Sequence, residues 1–262
     1  MDFKGKVVLI SGATGGMGEE IAKLLSKQGC KLALFARREE KLNEISKTLS
    51  NDKTECIYQK CDVKIKDDVE KAVDFTYKKF GRIDIAILAA GVLVPNPIQT
   101  FDSNIIKDSI EINFLGYVYF IEFLLPIMKS QKSGTIAATS TLPDRRGVPG
   151  WGAYGASKAA VSWLMESLRA EAKQKYNINI ITIKPGSVLT PMIGGYNRHG
   201  AIPAAKAAEI IVKGIKRDKK IIEFPFLQVI SIRLDDFLPV FAYDARDIEI
   251  LKGDGYPVVK EK

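Results

Sequence analysis

The sequence predicts an α/β protein: a doubly wound parallel sheet of about seven strands with helices on both faces. Three observations lead there. Short apolar runs rich in β-branched residues alternate with segments of helical periodicity. A glycine-rich turn joins the first such run to the first helical pattern. No linker, repeat or low-complexity segment interrupts the 262 residues, so 1–262 is read as one domain.

Residues 6–10, Lys-Val-Val-Leu-Ile, have the composition of a buried parallel strand. Ser11-Gly-Ala-Thr-Gly-Gly-Met-Gly18 follows, and 19–28 carries Ile21, Leu24 and Leu25 at helical spacing. Strand, glycine turn and helix in this order are what a Rossmann-type pyrophosphate site requires. Gly12 permits the tight turn, Gly16 the close approach of phosphate and Gly18 the contact of helix with strand, with Thr14 and Met17 in the same turn. The spacing is Gly-x-x-x-Gly-x-Gly rather than the commoner Gly-x-Gly-x-x-Gly. The second strand, 31–36, ends in Phe35-Ala36-Arg37-Arg38. An NAD site places an Asp or Glu near this point to hold the ribose hydroxyls, whereas a guanidinium suits a 2′-phosphate, so NADP(H) is the expected cofactor. Arg37, first after the strand, is the stronger candidate; Arg38 reads more readily as the solvated start of a helix with Glu39 and Glu40. Further strands are expected at 55–60, 83–91, 134–140, 179–184 and 221–224, and helices at 66–80, 102–129, 152–176 and 204–217.

The helix predicted at 152–176 holds Ala153-Tyr-Gly-Ala-Ser-Lys158. Residues four apart share a helix face, so the Tyr154 phenol and the Lys158 ammonium are neighbours. A nearby cation favours phenolate and makes tyrosine a usable acid/base near neutral pH. Tyr-x-x-x-Lys alone occurs in many helices; its weight here comes from the nucleotide signature in the same domain.

Together these segments resemble the short-chain dehydrogenase/reductase family, from about residue 4 to about residue 225. The resemblance implies cofactor contacts from Gly12, Gly16 and Gly18, from the adenine-side pair Asp62-Val63, and from Ala90-Gly91. It also implies nicotinamide contacts from Pro185-Gly186-Ser-Val188-Leu-Thr190. Asn113, Tyr154 and Lys158 match three members of the catalytic tetrad. Two departures stand out. The family's Asn-Ala-Gly is Ala89-Ala90-Gly91 here, and its substrate-binding serine, thirteen residues before the tyrosine, is Thr141, preceded by Ser140. Threonine offers the same donor on a stiffer side chain, and Ser140 serves if the register differs by one. The implied activity is NADPH-dependent reduction of a ketone or aldehyde, reversible as alcohol oxidation, with Tyr154 as general acid/base. The alternative is an NADP-binding regulator or scaffold with weak catalysis. By family position 191–203 would cover the substrate, with Met192, Ile193, Tyr196 and Trp151 lining an apolar pocket and Arg145 or Arg146 reaching an anionic group.

Composition narrows the rest. The charge of +8 comes from scattered lysines without a basic-aromatic motif, which argues against nucleic acid as partner and suits an anionic cofactor. Cys30, Cys56 and Cys61 lack metal spacing and the chain has one histidine, His199, so no metal is expected. No leader precedes the first strand, the cysteines read as reduced thiols, and a cytoplasmic protein is expected. Phe114 to Met128, the most apolar stretch, is too short to span a bilayer and reads as a packed helix. In the family this region often pairs between subunits, which implies a homodimer or homotetramer; burial against its own sheet is the alternative. An extension, 227–262, is dense in large apolar residues up to Phe241, fitting a pocket wall, a subunit contact or a membrane-surface patch.

Overall fold

The structure, a computed structural model, describes residues 2–50, 54–193 and 200–245. Seven parallel strands form one sheet: β1 (Val7–Ser11), β2 (Lys31–Ala36), β3 (Cys56–Lys60), β4 (Ile85–Leu88), β5 (Gly134–Thr139), β6 (Ile178–Pro185) and β7 (Ile221–Phe224). Their spatial order is β3-β2-β1-β4-β5-β6-β7. The order reverses between β1 and β4, and a crevice opens at the carboxyl ends of strands at such a point.

Because successive side chains of a strand point to opposite faces, the sheet feeds two separate cores. Val8, Ile10, Leu34 and Ile87 face one side, where α1 (Gly16–Ser26), α2 (Glu39–Leu49) and α7 (Ala204–Lys216) bring Ile21, Leu42 and Ile211. Leu9, Phe35, Leu88 and Ile136 face the other, against α3 (Lys66–Phe80), α5 (Gly116–Gln131) and α6 (Gly152–Tyr176). Helix formation follows the same logic. In α3 the buried residues Val69, Ala72, Val73 and Thr76 fall on one stripe, Asp67 and Asp68 occupy the positive end, Lys78 and Lys79 the negative end, and Gly81 closes it at φ +71°.

The helix expected at 102–129 is not uniform. It starts as α4 (Ser103–Ile110), capped by the Asp102 carboxylate on the Asn104 N–H, widens into one π turn at Glu111–Leu115, and continues as α5. The whole runs 29 residues and, by length and composition, is the one helix among the described residues that could cross a membrane. The length agrees with the expected 102–129; it exceeds the apolar stretch 114–128 because the helix begins at Ser103. In the fold its Tyr117, Phe120, Leu124 and Met128 are buried in the second core. Residues 188–189 and 202–203 pair in parallel, a two-stranded bridge the sequence did not announce. The extension becomes α8 (Phe226–Asp235) and α9 (Val240–Asp244), with Phe226, Leu227, Phe237 and Phe241 exposed.

Phe120, fully buried beneath the sheet, provides a measure of that second core. Phe120→Ala should lower unfolding stability by about 3–5 kcal/mol in urea titration; a loss under about 1 kcal/mol would mean that the core collapses into the space.

Candidate active site

At the β1–β4 crevice the turn after β1 lies directly against the chain after β4. Gly12 has φ +71°, and a Cβ there would lie 2.6 Å from the Ala90 nitrogen. A Cβ on Gly18 would lie 2.4 Å from the Gly12 carbonyl oxygen, so the first turn of α1 packs on the turn itself rather than on the strand. A Cβ on Gly16 would meet the Thr190 side chain at 2.7 Å, which brings the glycine turn against the 188–190 segment. The cleft so formed, about 330 Å³, is lined by Gly12, Thr14, Arg37, Arg38, Asp62, Val63, Ala89, Ala90 and Gly91 among others. Arg38 is the better anchored of the two arginines: its Nη2 donates to the Thr14 carbonyl at 2.7 Å and its Nε to Thr14 Oγ1 at 3.3 Å. Both arginines line the cleft, and Arg38, ranked second by sequence, is the one held in place by hydrogen bonds. Where the family's asparagine is replaced by Ala89, the Ala89 N–H donates to the Ser11 carbonyl at 3.2 Å and lies 3.3 Å from Ser11 Oγ.

Deeper in, the π turn sets Asn113. Its Oδ1 accepts from the Val92 N–H at 2.8 Å, and its Nδ2 donates to the Val92 carbonyl at 3.0 Å and to Ser157 Oγ at 2.9 Å. Asn113 thus ties the loop after β4 to α6. One turn from Asn113, Tyr117 donates its phenol proton to the Ala90 carbonyl at 2.7 Å. Lys158, 3% exposed, donates to the Thr139 carbonyl at 2.8 Å, stands 3.4 Å from the Tyr117 hydroxyl and lies over that ring at 4.9 Å. A Cβ on Gly91 would be 3.5 Å from the Lys158 amine and 3.0 Å from Asn113 Oδ1, so Gly91 keeps the way from cleft to amine open. Tyr154, half-buried on the same helix, lines a second cavity of about 160 Å³ with Thr141, Trp151, Met17, Pro185, Gly186, Val188 and Thr190. Met192 borders both cavities.

Residues 6–200 match the short chain dehydrogenase family. The chain belongs to that family. An uncharacterized oxidoreductase of Listeria monocytogenes is 38% identical over 194 residues, covering 74% of this chain and 78% of its own length. A short chain dehydrogenase/reductase from Burkholderia phymatum, solved with NAD, superposes with a TM-score of 0.83 at 22% identity, over 89% of this chain and 94% of its own. An alcohol dehydrogenase from Thermococcus sibiricus, solved with 5-hydroxy-NADP, has a TM-score of 0.75 at 26% identity, over 84% and 94% of the two chains. This short chain dehydrogenase is accordingly an oxidoreductase with a nicotinamide cofactor.

Several sequence expectations change in its structure. The Ser140 hydroxyl is fully buried, donates to the Lys158 carbonyl at 2.8 Å and contacts Ser162 Oγ at 2.7 Å. It is committed to holding α6, and of the two hydroxyls Thr141 is the one in the cavity lining. Arg145 and Arg146 turn away to the extension: Arg145 lies 3.7 Å from Asp236, and Arg146 donates to the Leu238 carbonyl and stacks over Tyr243. Tyr196 and His199, and the Ile193 side chain, lie outside the described residues. Tyr117, Ser157, Leu93 and Gln228 were not anticipated, whereas Ile232 lies in the cavity lining, as the pocket-wall alternative for the extension expected. For Tyr117 a signal existed, since it follows Asn113 by four positions, yet it was hidden in an apolar run. No group of three or more metal-ligating side chains occurs among the described residues. Burial pushes the Cys61 thiol, in the lining of the β1–β4 cleft, up to about 12.

Electrostatically the site turns on Lys158, whose burial lowers its pKa to about 7. Burial and the neighbouring Tyr154 raise the Tyr117 phenol above its ordinary value, so Tyr117 stays a neutral donor. An unfolded lysine titrates near about 10.4. Between about 7 and about 10.4 the unfolded chain holds a proton that the folded chain lacks, so this residue's contribution to stability rises with pH across that window. Below about 7 both states carry the proton and the burial penalty is fully present. Relative to Lys158→Met, the wild type should therefore gain roughly 2 kcal/mol between pH 7 and pH 9 in urea unfolding. A difference that stays constant with pH would contradict the depressed value.

Proposed function

We propose that this short chain dehydrogenase is an NADPH-dependent carbonyl reductase for uncharged, apolar ketones or aldehydes, able to run in reverse as an alcohol dehydrogenase. The observation that carries this reading is the shared cavity of Tyr154 and Thr141, bounded by the Pro185–Thr190 segment, with Lys158 buried one turn after Tyr154 on the same helix. The residues present fit a dinucleotide: the floor of the cleft is backbone at Gly12, where any side chain would collide, and two guanidinium groups stand where β2 ends without a carboxylate. Gly12, Thr14, Gly16, Met17 and Gly18 would hold the pyrophosphate side, Arg37 and Arg38 the 2′-phosphate, Asp62, Val63, Ala90 and Gly91 the adenosine side. Pro185, Gly186, Val188 and Thr190 would hold the nicotinamide.

When bound, the nicotinamide supplies or accepts the hydride at the carbonyl carbon. The protein's part is proton handling and placement. Tyr154 donates its phenolic proton to the substrate oxygen as that oxygen gains charge, and Thr141 donates a hydrogen bond to the same atom. Lys158, titrating near neutrality by virtue of its burial, would in its protonated form favour the tyrosinate that remains and would return the proton. Asn113 keeps α6 and the loop after β4 at fixed separation. In alcohol oxidation Tyr154 starts as the base. The cavity lining contains no charged side chain among the described residues, which is why an uncharged substrate is favoured.

A panel of ketones, aldehydes and secondary alcohols followed by NADPH absorbance tests the reading. Tyr154→Phe should lower kcat by at least about a hundredfold while the Kd for NADPH moves less than about twofold. Retained turnover would sink the acid/base role, and NADPH binding without turnover of any wild-type substrate would favour the regulator reading. For the cofactor, Arg37→Ala and Arg38→Ala should each weaken NADPH by about tenfold or more, roughly 1.4 kcal/mol, with little effect on NADH. Equal losses for both nucleotides would argue against a 2′-phosphate contact.

A further inference from the structure

Asp144 is a buried carboxylate that the proton chemistry does not use. Its side chain is 2% exposed, and four functional elements converge on it. It lies three residues after Thr141, on the same loop. Its Oδ2 accepts from Ser162 Oγ at 2.6 Å, and Ser162 is one turn beyond Lys158 on α6. The same oxygen lies 2.5 Å from the Lys184 amine, and Lys184 directly precedes Pro185-Gly186. Its Oδ1 accepts no hydrogen bond but faces Arg233 Nη1 of α8 at 3.5 Å. Ser140 closes the group, touching Ser162 and the Lys158 carbonyl.

The α8 end of this network bears on substrate. Ile232, beside Arg233, and Gln228, one turn earlier, line the apolar cavity opposite Tyr154. Gln228 also accepts from the Ser187 N–H at 2.8 Å, so α8 touches the 185–190 segment directly and the catalytic loop through Asp144. Around Asp144 the charges balance: Asp144, Glu223 and Asp236 face Lys184, Arg233 and Arg145. Arg233 keeps Glu223 and Asp236 if Asp144 is neutralised, whereas Lys184 has Asp144 as its carboxylate partner among the described residues. A buried ion pair of this kind adds little net stability over a neutral pair, yet losing one partner is costly. A role in geometry therefore accounts for the pair better than a role in net stability.

We propose that Asp144 is a positioning residue that fixes the pocket wall α8 against the catalytic loop and α6, and thereby sets how an apolar carbonyl substrate fits beneath Tyr154. The kinetic consequence rests on the carbonyl-reductase reading; the mechanical one does not. The experiment uses the full chain as Asp144→Asn and as the paired Asp144→Asn/Lys184→Gln, which removes both charges and leaves no unpaired lysine. The probe is the apolar ketone reduced fastest by wild type, and amide hydrogen exchange is followed across 226–235. The expected result is a ketone KM raised about tenfold in both variants, an NADPH KM within about twofold of wild type, and α8 amides exchanging at least about tenfold faster. The paired variant should recover the wild-type melting temperature but keep the raised KM. Unchanged α8 exchange would overturn the proposal whether or not any ketone is turned over. So would a KM that recovers together with stability, a parallel fall of kcat with rises in both KM values, or failure of both variants to fold, since each describes a merely structural carboxylate. Faster α8 exchange in a protein that reduces no carbonyl would leave the positioning intact and fail only the assigned activity.

Discussion

The amine of Lys158 is held inside the protein without a carboxylate beside it among its described partners, and the rest of the site is arranged around that fact. Its contacts are a carbonyl at the end of β5 and the hydroxyl and ring of Tyr117. These stabilise a proton without neutralising it, so burial decides the titration and brings it near neutrality. A carboxylate at that place would hold the ammonium permanently charged. The oxygens and ring supplied instead leave it able to take up or release a proton in the working range.

That placement depends on distant pieces of chain meeting at the sheet's carboxyl edge. The π turn lets Asn113 reach Val92 and Ser157 while Tyr117, a turn later, reaches Ala90. Both contacts draw the long helix toward the strand after which the glycine turn docks. The crevice between β1 and β4 is therefore bounded on one side by backbone at Gly12 and on the other by the loop that Asn113 secures. The β1–β4 cleft and the Asn113 and Tyr117 contacts share the short span Ala89–Val92.

Much of this was legible because it is local. The β1 strand, its glycine turn and α1 lie within twenty residues, and Tyr154 and Lys158 within one helical turn, so periodicity and spacing expose them. What stayed hidden depends on contacts between remote segments. The spacing before Tyr154 pointed to Thr141 but left Ser140 open; the Lys158 carbonyl and Ser162, eighteen and twenty-two residues away, are what hold Ser140 out of the cavity. For the extension a pocket wall was one of three readings, and only the return of the chain through β7 brings Gln228 and Ile232 to the cavity that Tyr154 lines. Arg38 was undervalued for a similar reason, since its partner Thr14 lies twenty-four residues earlier.

The grip of Arg38 on Thr14 has an entropic consequence. A free arginine side chain on the surface samples many rotamers and must surrender them to hold an anion, which weakens the complex. Here the guanidinium is already laid across the turn by its own hydrogen bonds. An anion entering this cleft would meet a preset cation rather than one that has to be recruited, and more of the electrostatic attraction would appear as affinity.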